Sequence, residues 1–93
     1  MAQIKWLASA VRDVDSVYDF ISQDRPPSAK KVVQVIFDYV EKLSQYPESG
    51  RKGRVVGTRE IIVRPYPFVV VYRLKGNQAQ ILSVLHTSRK WPY

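Results

Sequence analysis

The chain has 93 residues, a net charge of +7, one histidine and no cysteine. That length predicts a single domain, 1–93, with one modest core, and the cysteine and histidine counts exclude a disulfide framework and a Cys/His zinc site, so no metal or other cofactor is expected. No apolar run approaches the ~20 residues of a membrane span, and the opening MAQIKWLASA is not a secretory signal, which predicts a cytoplasmic protein with no membrane partner.

The charge is unevenly placed. Acidic and basic side chains cancel over residues 1–46, so the whole excess falls in residues 47–93, where only Glu48 and Glu60 oppose the basic side chains. A basic field confined to one half of a small chain suits a polyanion or an acidic protein; surface charge that only keeps the protein dissolved is the plain alternative.

Gln3 to Leu7 alternates polar and apolar residues, as a half-buried strand does. Ser9 offers an N-cap for a helix running to about Gln23, with Val11, Val14, Val17, Tyr18 and Ile21 as its apolar stripe and Asp13 and Asp15 in its first turns. Arg25-Pro26-Pro27 breaks it. A second helix opens at Pro27 and Ser28 and ends before Pro47, its stripe formed by Ala29, Val32, Val33, Ile36, Val40 and Leu43. So short a break makes an antiparallel helical hairpin, whose apolar stripes need a sheet to cover.

The second half supplies that sheet. Arg54–Val56 and Arg59–Arg64 read as a hairpin about Gly57-Thr58, with Val56 opposite Arg59 and Arg54 opposite Ile61, so that Lys52 approaches Val63. After Pro65-Tyr66-Pro67, the run Phe68–Leu74 is apolar on both faces and predicts a central strand. It returns through Gly76-Asn77 to a last strand ending at His86, with Leu74 opposite Ala79, Arg73 opposite Gln80, Val71 opposite Leu82 and Phe68 opposite Leu85. The fold class is therefore α+β, in the order β-α-α-β-β-β-β, with the helical hairpin packed on a mainly antiparallel sheet.

In this register Arg51, Lys52, Arg64, His86 and Arg89 converge on one end of the sheet, with Tyr93 close behind. The set suits cleavage of RNA without a metal. His86 carries the imidazole for proton transfer, and Arg64 and Arg89 present forked donors to a phosphorane-like transition state. Arg51, Lys52 and Arg54 add positive charge for phosphate, while Tyr93 stacks on a base or donates a proton. Each has a plainer reading: His86 as a surface residue at a strand end, the 51–54 segment as a solvated loop, Tyr93 as an extension of the core, and Glu60 as a salt-bridge partner for an arginine.

QIKWLASAVRDVDSVYDFI, LSQYPESGRKGRVVGTREIIV, PYPFVVVYRL and ILSVLHTSRKWP together span nearly the whole chain, and they resemble the RelE/ParE superfamily of bacterial toxins from type II toxin–antitoxin modules. The resemblance implies an α/β toxin neutralised by a cognate antitoxin, with operator DNA bound only through the antitoxin. It implies one of two targets: mRNA on the ribosome, cleaved by RelE-like members, or DNA gyrase, poisoned by ParE-like members. For a RelE-like nuclease it implies catalytic roles for His86, Arg89, Arg64 and Tyr93 and RNA binding by Lys52 and Arg54. Val69 and Val70 stand where some nuclease members carry an arginine.

Overall fold

The computed structural model describes residues 1–87. A strand β1 (Gln3–Trp6) leads into helices α1 (Ala8–Ser22) and α2 (Pro26–Glu41), the second continued by one 3₁₀ turn (Lys42–Ser44). Four strands follow: β2 (Arg51–Lys52), β3 (Arg59–Val63), β4 (Phe68–Lys75) and β5 (Gln78–His86). They form one five-stranded sheet in the order β1-β5-β4-β3-β2, antiparallel except where β1 runs parallel to β5. The α+β class and the element order are those expected.

Both helices cover the same face. Ala10 and Val14 from α1 and Val32, Ile36 and Val40 from α2 meet Val63, Val70, Tyr72, Ile81 and Val84 from the sheet, and all of them are buried. Each such aliphatic side chain contributes roughly 1.5–3 kcal/mol relative to leaving it in water. Trp6 closes one end against Phe37, edge to face at 5.3 Å. The α1 stripe keeps Val14, Val17 and Ile21 against the core as expected and departs at one place, where Ala10 is buried and Val11 is exposed. On the other face of the sheet Val69, Val71 and Leu85 are buried with Ile62 and Leu82 packed against them, so β4 is apolar on both faces, as a central strand should be.

Three local expectations are corrected. Ser9 is not the N-cap of α1; its hydroxyl donates to the Leu82 carbonyl at 2.7 Å, and the N-cap is Leu7, two residues earlier. No acidic residue occupies the first turn of α1, and the Asp13 carboxylate accepts from the Val84 N–H at 3.0 Å. β1 pairs with β5 only as far as Ile81, so the first turns of α1 satisfy the β5 edge beyond it. An α-helix laid along a strand's edge can do this because positions 9 and 13 are one turn apart.

The second correction concerns the last hairpin. Leu74 does face Ala79 and Arg73 does face Gln80, but the register shifts between Tyr72, opposite Ile81, and Val71, opposite Ser83. Leu82 is thus an extra residue in β5, a β-bulge, and Phe68 faces His86 rather than Leu85.

The third concerns the first hairpin. Arg51 pairs with Glu60 and Lys52 with Arg59, so residues 53–58 form the connection and Arg54 is not in a strand. The loop closes on itself through Gly53 N–H to the Thr58 carbonyl at 2.8 Å and Thr58 Oγ1 to the Val55 carbonyl at 2.7 Å. Gly57 takes a φ of 85°, which a residue with a Cβ rarely adopts.

Candidate functional site

The candidate residues fall into two groups. His86, at the end of β5, is exposed and stands edge to face with Phe68 at 5.6 Å. The turn beneath it is fixed by the Thr87 N–H donating to the Pro67 carbonyl at 2.8 Å. Arg64 follows β3 at this same end, since Val63 faces Phe68 and Phe68 faces His86. Its backbone is held by Tyr39, whose hydroxyl lies 3.3 Å from the Arg64 N and 3.4 Å from its carbonyl oxygen. His86 and Arg64 therefore share one rim, as the sequence suggested.

The second group is built around Glu60, a carboxylate only 2% exposed. Its Oε1 lies 3.1 Å from the Arg51 guanidinium, its Oε2 accepts from the Arg54 backbone N–H at 3.1 Å, and the Arg54 Nε stands 3.8 Å away. A buried carboxylate is costly unless it is paired and hydrogen-bonded, and these partners are what keep Glu60 there. In exchange it draws Arg51 and the 53–58 loop onto β3. Arg59 braces the approach to β2 by donating to the Glu48 and Gly50 carbonyls at 3.0 and 2.8 Å. The reading of Glu60 as an arginine's salt-bridge partner holds.

The structure does not bring the two groups together. The expected register would have carried Lys52 toward Val63; the observed one leaves it opposite Arg59, at the far end of β3. Arg51 pairs with Glu60, which faces Val71, on the sheet face away from the helices. His86 pairs with Phe68 on the helix-covered face. Three strand spacings of ~4.8 Å and three residues of ~3.3 Å separate the Arg51 and His86 positions, roughly 17 Å in all. Arg89 and Tyr93 lie outside the described residues.

Arg59 and the organising role of Glu60 on Arg54 were not anticipated as parts of this surface. The available signal was Glu60 itself, the one acid between residues 49 and 93. Behind the hairpin, the Tyr72 phenol is buried; it accepts from the Gly50 N–H at 2.9 Å and donates to the Pro47 carbonyl at 2.8 Å. Burial pushes its pKa above the ordinary 10.0, with the Gly50 hydrogen bond and the Arg59 charge acting in the opposite direction. Among the described residues no helix is long and apolar enough to cross a membrane.

Residues 4–91 match the family model described as ParE toxin of type II toxin-antitoxin system, parDE. The Y4kP protein of Sinorhizobium fredii is 37% identical over 97% of this chain and 93% of its own length. Toxin RelE2 of Caulobacter vibrioides is 30% identical over 96% of this chain and 99% of its own. Among solved structures, a chain of the chromosomal ParDE TA system from P. aeruginosa superposes with a TM-score of 0.88 at 33% identity, covering 95% of this chain and 98% of that one. A chain of the RelBE2 toxin–antitoxin complex from Mycobacterium tuberculosis shares the fold, with a TM-score of 0.66 at 21% identity, covering 91% of this chain and 96% of that one. Matched over nearly its whole length, the chain belongs to the ParE toxin family of type II toxin–antitoxin systems.

Proposed function

We propose that this protein is the toxin of a type II module, bound and neutralised by a cognate antitoxin, and that it acts by docking on DNA gyrase rather than by cutting RNA. The observation that carries this reading is the separation of the RNA-binding candidates Arg51, Lys52 and Arg54 from the rim that His86 shares with Arg64. Arg51 and the 53–58 loop are gathered on Glu60 on one face of the sheet, and His86 stands on the other. Phosphoryl chemistry needs its acid, base and charge-stabilising groups within hydrogen-bond reach of one phosphate, whereas a docking surface has no such requirement. The basic hairpin is rigid, cationic and exposed, and it suits an acidic protein surface or a protein–DNA complex.

The test is a gyrase supercoiling assay run beside toeprinting of translated mRNA with the same purified protein. The expected result is loss of supercoiling with accumulation of gyrase–DNA cleavage complexes, relieved by the antitoxin, and no new mRNA ends. Codon-specific mRNA cuts with gyrase unaffected would overturn it.

A second reading, a RelE-like ribosome-dependent endonuclease, is favoured by the shared rim of His86 and Arg64 and by the 30% identity to toxin RelE2. There His86, Arg64, Arg89 and Tyr93 would be catalytic and Arg51, Lys52 and Arg54 would bind RNA, so His86→Ala and Arg89→Ala would each abolish mRNA cleavage and growth arrest in a folded protein.

A further inference from the structure

Where β4 turns into β5, the sheet face away from the helices carries two rows of polar side chains that cross three strands. Arg73 on β4 stands opposite Gln80 on β5, which stands opposite Lys5 on β1; two residues along, Lys75 stands opposite Gln78, and Gln78 opposite Gln3. The row between them, Leu74, Ala79 and Ile4, packs on the core under the helices, and strand alternation sets the polar rows on the other side. Arg73, Lys75, Lys5 and Gln3 are exposed, whereas Gln80 is only 8% exposed.

A hydrogen-bonded relay fixes which groups this face presents. The Arg73 Nε donates to the Gln80 Oε1 at 2.7 Å, and the Gln80 Nε2 donates to the Gln78 Oε1 at 2.9 Å. Arginine has no acceptor, so Gln80 must turn its oxygen to Arg73 and its NH2 to the Gln78 oxygen, which leaves the Gln78 NH2 as a donor with no partner among the described residues. The Arg73 guanidinium is held through Nε, and its two Nη nitrogens likewise have no partner among the described residues. A buried amide is costly unless it is hydrogen-bonded, and the relay satisfies Gln80 in the one sense that offers donors to solvent. Of the six side chains only Gln3, at a corner, has an oxygen that accepts nothing among the described residues.

We infer that this face binds the phosphate backbone of duplex DNA, without regard to base sequence. It presents an arginine fork, two ammonium groups and an amide NH2, so its partner must be rich in acceptors and poor in donors. A phosphate backbone is such a partner. A protein surface brings donors of its own that would find few acceptors here, and the two rows hold no apolar side chain to form the dry centre of a protein interface. They hold no aromatic ring on which unpaired bases could stack, which favours a duplex over single-stranded RNA. With strands ~4.8 Å apart and a rise of ~3.3 Å per residue, the three cations lie within roughly 12 Å of one another. Duplex DNA, with one charge per ~1.7 Å of axis, meets all three at once. The inference goes beyond the gyrase reading, since it gives the chain a hold on DNA of its own.

The experiment titrates the full chain, by fluorescence anisotropy over a range of salt concentrations, against a labelled DNA duplex of mixed sequence, single-stranded RNA of equal length and polyglutamate. Wild type is compared with Arg73→Gln, Lys75→Gln and Lys31→Gln; Lys31, exposed on α2, controls for the loss of net charge. The expected result is tighter binding to the duplex than to either competitor. Arg73→Gln and Lys75→Gln should each weaken duplex binding several-fold and lower the slope of log K against log salt by about 0.9, the loss of one phosphate contact, while Lys31→Gln leaves the slope unchanged. Absence of duplex binding, or equal effects of Arg73→Gln and Lys31→Gln, would overturn the inference. Tighter binding to the RNA would assign the face to RNA, and equal or tighter binding to polyglutamate would assign it to an acidic protein; either overturns it. No gyrase is present in this titration, so its failure leaves the gyrase reading standing, and a supercoiling assay without effect leaves this inference standing.

Discussion

The Asp13 carboxylate on α1 accepts a hydrogen bond from the Val84 N–H on β5 at 3.0 Å, joining residues 71 positions apart in the chain. β1 has already ended at this point, so a helix side chain completes the edge of the strand that carries His86. Asp13→Ala leaves the Val84 N–H without its partner and should cost about 1–3 kcal/mol, while Asp13→Asn, which keeps an acceptor oxygen, should cost less. Urea denaturation midpoints decide the matter; an alanine variant as stable as wild type would show the bond to be incidental.

Gly50 sits where no side chain fits. A Cβ there would lie 2.6 Å from the Tyr72 hydroxyl and 2.7 Å from its ring carbon Cε1. Gly50→Ala should therefore lower stability by about 1–3 kcal/mol, the usual range for overpacking a closely packed site. Thermal unfolding measures it, and an unshifted Tm would mean that the 46–50 segment yields freely.

Tyr72 also gives the fold an alkaline limit. Its pKa is raised in the folded protein because burial disfavours the phenolate, so above pH 10.0 the unfolded chain releases this proton before the folded one does. Stability from this group is complete below pH 10.0 and declines as the pH climbs from there toward the raised value. Wild type should lose more stability than Tyr72→Phe between pH 9 and pH 11. Parallel curves for the two proteins would contradict the assignment.

Glu60 is predicted to organise the loop more than to stabilise the fold. The Arg51 and Arg54 side chains are about half exposed, at 55% and 47%, so solvent screens both ion pairs. Glu60→Ala should cost on the order of 1 kcal/mol, chiefly through the Arg54 N–H, and should speed amide exchange across residues 53–58. If that loop stays protected in the variant, its closure depends on Gly53 and Thr58 alone.

The helices, the central strand and the class of fold were legible because each rests on an apolar period that a single sequence displays. The β-bulge at Leu82 was not, because ILSVL carries apolar residues on both faces and accepts either register equally well. The first hairpin misled for a related reason. Gly57-Thr58 has the residues of a two-residue turn, whereas the pairing is decided by a buried carboxylate two positions later that draws Arg51 and the Arg54 backbone back onto β3. One wrong register moved Lys52 to the opposite end of a strand. At the site, the common rim of His86 and Arg64 survived, because the Pro65–Pro67 turn fixes it whatever the register of β2.

The parallel pairing of β1 with β5 bears on synthesis. Gln3 to Trp6 are synthesised well before Gln78 to Ile81, their hydrogen-bonding partners. Closing a loop of that length is slow and cannot begin until β5 has been made. A nascent chain must therefore carry Ile4 and Trp6 unsheltered by β5 until that strand emerges, and the sheet completes itself only then.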